Sequence, residues 1–132
     1  MKQLEKAKDV YLKEYEVNVH PYLNLAQVDL IVNGICSLDN NDFAERKINE
    51  DMLVLFHATN ITKEELEATS YEDLVESGLV DAVRSKIKNI NLIQEGLTYT
   101  ESFARSLAIL SPKILPLIGK LGDLYGKNTN KE

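Results

Sequence analysis

A single cysteine, Cys36, leaves this chain of 132 residues with no internal disulfide to form, which excludes a disulfide-stapled scaffold. No charged n-region followed by an apolar h-region opens it, so the expected setting is a reducing, cytoplasmic one. Long apolar runs are missing too. A membrane helix needs about 18 such residues in a row, and the nearest approach, Leu107 to Leu121, is interrupted by Pro112, Pro116 and two lysines. Basic residues are also scarce: the net charge is −6 and the pI about 5.0. That balance argues against direct binding of nucleic acid, whose phosphates need clustered Lys and Arg. Glycine offers no phosphate cradle either, since Gly119, Gly122 and Gly126 match neither the P-loop nor the dinucleotide pattern.

What the chain does have is apolar residues at helical spacing. With 44% hydrophobic residues it can fill one core. The expected fold is all-α, a small helical domain organised around one long C-terminal helix, with a short extended segment near residues 16–22. Residues 2–15 have helix-forming composition, with Leu4, Ala7, Val10, Tyr11 and Tyr15 in an imperfect stripe. From Glu16 to Tyr22 apolar and polar residues alternate, and His20 precedes a proline, which disfavours the α region for it. The expected organisation is an N-terminal helix and extended connector over 1–22, a helical domain over 23–121 and a flexible polar tail over 122–132.

Four cap pairs punctuate the middle of the chain: Asn24 with Gln27, Asp42 with Glu45, Thr62 with Glu65, and Ser70 with Asp73. The first starts a helix whose core face holds Leu25, Val28, Ile31, Val32, Ile35 and Leu38. The second starts one with Ile48, Met52, Leu55, Phe56 and Thr59 inward. The last two start short helical turns, and Gly78 closes the second of them. From Leu79 to Leu110 no proline interrupts a stripe of Val83, Ile87, Ile90, Leu97, Ala104 and Leu107, widened by Ile93, Phe103 and Leu110. This predicts one rod roughly 48 Å long at about 1.5 Å per residue. Gly96 is its weak point, where a bend or a close backbone approach is expected.

The titratable residues do not assemble into a recognisable centre. Asp39, Asn41 and Glu50 take positions of a calcium loop, but Phe43 and Ala44 spoil it. His57 sits near a helix end, where its charged form meets the negative end of the dipole, and His20 is remote in sequence. Cys36 lies among Ile and Val, where thiols are usually buried and inert. Glu50 and Asp51, Glu64 and Glu65, and Glu72 and Asp73 are explained as first-turn acids, and Ser102 and Ser106 lack a turn that presents a hydroxyl. The expectation is a protein that is not an enzyme and needs neither cofactor nor metal.

Charge is unevenly spread. Residues 39–81 carry three basic and twelve acidic groups, and residues 82–132 carry eight and four. Such a dipolar chain suits head-to-tail association with its own copies or a protein partner of mixed charge. The apolar end supplies the affinity in that reading, because a helix hydrophobic around most of its circumference must be covered on several sides. The expected partner-binding residues are Phe103, Leu107, Leu110, Ile114, Leu115, Leu117 and Ile118.

The runs Glu45-Arg46-Lys47, Asp51-Met52-Leu53 and His57-Ala58-Thr59 are followed by Glu76-Ser77-Gly78-Leu79-Val80-Asp81 and Tyr99-Thr100-Glu101-Ser102. Together they resemble small helical accessory proteins encoded by phages and prophages of Gram-positive bacteria, over about residues 22–110. The resemblance implies a host-cytoplasmic or virion-associated protein that acts in virion (tail) assembly, as tail-assembly chaperones do, by self-association or by coating a partner. The alternative it implies is an anti-defence inhibitor that blocks a host nuclease or nucleic-acid site through the acidic region.

Overall fold

The computed structural model describes residues 1–37 and 42–107. Two short strands, β1 (Val10–Leu12) and β2 (Val17–Val19), precede α1 (Leu25–Cys36), α2 (Phe43–Ala58), α3 (Lys63–Glu67), α4 (Tyr71–Glu76) and α5 (Leu79–Lys86). A sixth helix, α6, runs over residues 91–107, the last described. The protein is therefore mostly helical, with one small two-stranded sheet. It divides into two compact units, Met1–Leu97 and Thr98–Glu132.

The cap pairs start helices where the sequence places them. Asn24 and Gln27, and likewise Thr62 and Glu65, form reciprocal capping boxes. Asp42 accepts from the Ala44 N–H and Ser70 from the Asp73 N–H. Each satisfies a backbone donor that the first helical turn leaves orphaned, worth about 1 kcal/mol apiece. Gly78 takes φ +82° between α4 and α5, a left-handed conformation that glycine adopts without steric cost.

The start of the chain differs from expectation. Residues 2–15 form no helix: residues 1–9 are exposed without regular structure, and β1 pairs antiparallel with β2, Val10 opposite Val19 and Leu12 opposite Val17. A short helix with an imperfect stripe is marginal in water, whereas the period-2 alternation of Val17 and Val19 turns both into the core. An isolated hairpin would also be marginal, and this one is held from its far side. His20 N–H donates to the Ala58 carbonyl (2.7 Å), Asn60 N–H to the Asn18 carbonyl (3.3 Å), and the Asn60 side chain accepts from the Asn18 N–H (2.9 Å). Tyr15 adds a bond from its hydroxyl to the Ser77 carbonyl (2.7 Å).

The predicted rod from Leu79 to Leu110 is broken between Lys86 and Asn91, where Ile87 is extended (φ −86°, ψ 109°). Backbone groups that a continuous helix would pair internally are spent on the segment before α1. Lys88 N–H donates to the Pro21 carbonyl (2.7 Å), while the Asn89 carboxamide accepts from the Leu23 N–H (2.9 Å) and donates to its carbonyl (2.8 Å). Asparagine competes with helix by offering the backbone such side-chain partners.

One core cluster fills the first unit, with Val19, Ile31, Val54, Leu55, Val83 and Ile93 at its centre. On α1 the expected face is buried at Val28, Ile31, Val32 and Ile35, but Leu25 is exposed and Leu38 lies outside the described residues. On α2 the expected Leu55 is buried and Met52 packs half-buried against the core, but the buried face also takes in Asp51, Val54 and Ala58, and Phe56 faces outward. The cause is Asp51, whose carboxylate occupies an interior position that a purely apolar reading assigns elsewhere.

Candidate functional site

Helix α6 begins inside the core. Ile93 and Leu97 are buried, and Gly96 approaches α1 so closely that a Cβ built on it would meet Val32 Cγ2 at 2.8 Å. Glycine there permits contact between neighbouring elements rather than a bend. Beyond Leu97 none of residues 98–107 is buried. Tyr99 is 74% exposed, Phe103 57% and Leu107 45%. Spaced four residues apart, they lie on one face of the helix. The ion pair of Glu101 with Arg105 at 3.9 Å sits on the opposite side by the 100° step of the helix.

Of the residues the sequence singles out for partner binding, Phe103 and Leu107 thus stand exposed on a common face. Ala104, expected in the core stripe, is exposed as well. Leu110, Ile114, Leu115, Leu117 and Ile118 lie outside the described residues. Tyr99 belongs with the stripe and was missed. Its position one turn before Phe103 is the signal that would have found it.

A second apolar surface lies between α2 and α3. Met52, Leu53 and Phe56 from α2 and Leu66 from α3 line an open groove of about 490 Å³, with Lys63 and Glu67 at its rim. Phe56 is 44% exposed there, and the flexible thioether of Met52 makes such a surface adaptable.

The interior charge cluster is the third feature, and it joins groups the sequence keeps apart. Asp51 is 2% exposed. Its Oδ1 accepts from Lys47 Nζ (3.3 Å) and Arg84 Nη1 (3.1 Å), and its Oδ2 accepts from the Tyr71 hydroxyl (2.6 Å). Arg84 Nη2 also donates to Glu50 Oε1 (3.3 Å). Burial first, then the bond to Asp51, pushes the Tyr71 hydroxyl up to about 12, so it remains a donor at any physiological pH. A buried carboxylate with this many donors is compensated in its charge and hydrogen bonding. Asp51 is therefore not a first-turn acid as expected, since it lies in the middle of α2.

Comparisons with protein-family models, curated proteins and solved structures return no match.

The other candidates are placed as follows. Burial lowers the pKa of His57, so its ring is held toward the neutral form, edge-on to Phe56 at 5.1 Å, rather than charged against the helix end. His20 contacts Asp9 at 2.9 Å in the open. Cys36 is exposed, contrary to expectation. Asp39 and Asn41 lie outside the described residues, and Glu50 is engaged by Arg84. Among the described residues, no group of three His, Cys, Asp or Glu side chains is placed to hold a metal ion, and no helix is long and apolar enough to cross a membrane.

Proposed function

We propose that the protein is a non-enzymatic helical interaction factor, encoded by a phage or prophage, that acts in virion assembly by associating with itself or coating a protein partner through the outer face of α6. The observation that carries this reading is the row Tyr99, Phe103 and Leu107, exposed at four-residue spacing in a stretch with no buried residue. Helix-in-groove recognition uses anchors at this spacing, with rigid aromatic side chains supplying most of the affinity. The phage setting rests on the sequence resemblance alone. An inhibitor that mimics nucleic acid has less support, because Glu50 and Asp51 spend their charge on Arg84.

Sedimentation across a concentration series tests the reading, with the protein alone and after co-expression with the products of the genes flanking its own. Wild type should associate or co-purify with a flanking product, and Phe103→Glu should weaken that behaviour while keeping its helical circular dichroism. A wild type that stays monomeric and captures none of those products would sink the proposal.

A further inference from the structure

We propose that the open edge of β1 pairs with β1 of a second copy, antiparallel about Tyr11, so that the two hairpins join into one continuous sheet. This is independent of the α6 face. In an antiparallel ladder, opposite residues alternate between pairs that exchange both backbone bonds and pairs that exchange none. Tyr11 lies opposite Asn18, and the Asn18 backbone is turned the other way: its N–H donates to the Asn60 side chain (2.9 Å) and its carbonyl accepts from the Asn60 N–H (3.3 Å). Tyr11 and Asn18 are therefore a pair that exchanges none. The Tyr11 N–H and carbonyl point away from β2, to the side of β1 that has no strand beside it among the described residues, and Tyr11 itself is 57% exposed. Main-chain groups left open in this way are a template for strand addition.

Charge names the occupant. Lys8 and Asp9 precede β1, and Lys13, the first residue of the turn, and Glu14 follow it; all four are exposed. A two-fold axis through Tyr11 sets Asp9 opposite Lys13 of the second copy and Lys13 opposite its Asp9, and brings each Lys8 toward the other copy's Glu14. Such reciprocity is what an interface between identical surfaces requires. Parallel pairing in register would set Asp9 on Asp9 and Lys13 on Lys13, so the charges select the antiparallel arrangement. With two basic and two acidic groups the strip is neutral, in a chain of net charge −6. Copies therefore meet edge to edge without the repulsion of their acidic surfaces. Asp9 already meets His20 Nδ1 through Oδ1 (2.9 Å), and a carboxylate accepts further bonds at its second oxygen. The same axis sets Tyr11 against Tyr11 on the outer face of the sheet, and Val10 against Leu12 on the face that carries Val17 and Val19 into the core.

Exchanging charge between two variants tests this. The background is the Phe103→Glu chain, so that the α6 face does not contribute. It should sediment as a monomer–dimer equilibrium, and the Tyr11 amide should exchange its hydrogen more slowly as concentration rises. Adding Asp9→Lys opposes lysine to lysine at both ends of the pairing, and adding Lys13→Glu opposes carboxylate to carboxylate. Each should dimerise about tenfold more weakly than the background chain. An equimolar mixture of the two restores unlike charges at every opposed position, and its affinity should return to that of the background. These positions are exposed, and a thermal melt checks that each variant folds. A background chain that is monomeric at every concentration overturns the proposal, as does a mixture that associates no better than its components. A dimer whose Tyr11 amide exchanges at a rate independent of concentration overturns it too, because the edge is then not the interface. If Phe103→Glu forms the same species as wild type and the mixture recovers, the edge pairing stands and the α6 reading falls.

Discussion

Ile93 and Phe103 stand ten residues apart on one helix, and the first is 1% exposed while the second is 57% exposed. Both are large and apolar, so hydrophobicity and helical period do not separate them. What separates them is the presence of something to pack on. Residues 91–97 share the first unit with α1, where Gly96 meets Val32 and Ile93 enters the common core. Residues 98–107 belong to the second unit and contain no buried position. An apolar stripe on a helix thus reports that a face wants cover, and only the surrounding chain decides whether the cover is internal. This is why the exposed half of α6 is read as a surface for association and the buried half as scaffold.

The comparison breaks most visibly under a charge placed in the buried half. Ile93→Asp should unfold the protein, because an unpaired carboxylate in the core costs several kcal/mol, a large share of a small domain's stability. Retention of the wild-type melting temperature would mean that α6 is not anchored where Ile93 places it. Asp51→Ala should cost about 3 kcal/mol, since breaking a buried ion pair strands its partners, moderated because Arg84 and Lys47 are partly exposed and recover some hydration. Denaturant titration checks it, and a loss below about 1 kcal/mol would make the network superficial. Gly96→Val should cost about 2 kcal/mol by overpacking, since Val32 is itself buried and cannot yield. Tyr71→Phe, which leaves one Asp51 oxygen short of a donor, should cost about 1–2 kcal/mol. The order of these losses is the sharper test: if Tyr71→Phe exceeds Asp51→Ala, the hydroxyl and not the ion pairs holds α4 to α2.

Much of this arrangement was legible in the sequence because it is local. The caps at Asn24, Asp42, Thr62 and Ser70, the left-handed Gly78 and the inner face of α1 need only neighbouring residues to operate. What escaped depends on distant partners. The break at Ile87 requires Asn89 to find Leu23, far away in sequence, and the two asparagines at positions 89 and 91 were its only local hint. The burial of Asp51 on α2 follows from its meeting Arg84 and Tyr71, and an acid set directly before Met52, Leu53, Val54 and Leu55 is the available signal. Residues 2–15 misled because their composition favours helix while the hairpin is secured by the end of α2, which no local pattern announces. Of the candidate partner-binding residues, Phe103 and Leu107 lie in the described part of the chain; the groove at Phe56 was invisible because that residue had been assigned to the core.

The smallest effect is expected at Phe103, and it bears directly on the comparison. Phe103→Ser removes an exposed side chain with no buried neighbour in residues 98–107, so the stability of the isolated chain should change by less than about 0.5 kcal/mol, the usual range for a surface substitution. Association complicates the measurement in an informative way. If copies bind through this face, the folded state is stabilised by mass action, and the wild-type melting temperature should rise with protein concentration. The Phe103→Ser melting temperature should rise less. At low concentration the two curves should therefore coincide, and at high concentration wild type should lie above the variant. A variant that melts well below wild type even at the lowest concentration would show that Phe103 supports the fold of its own chain, and the contrast between the two halves of α6 would then be lost.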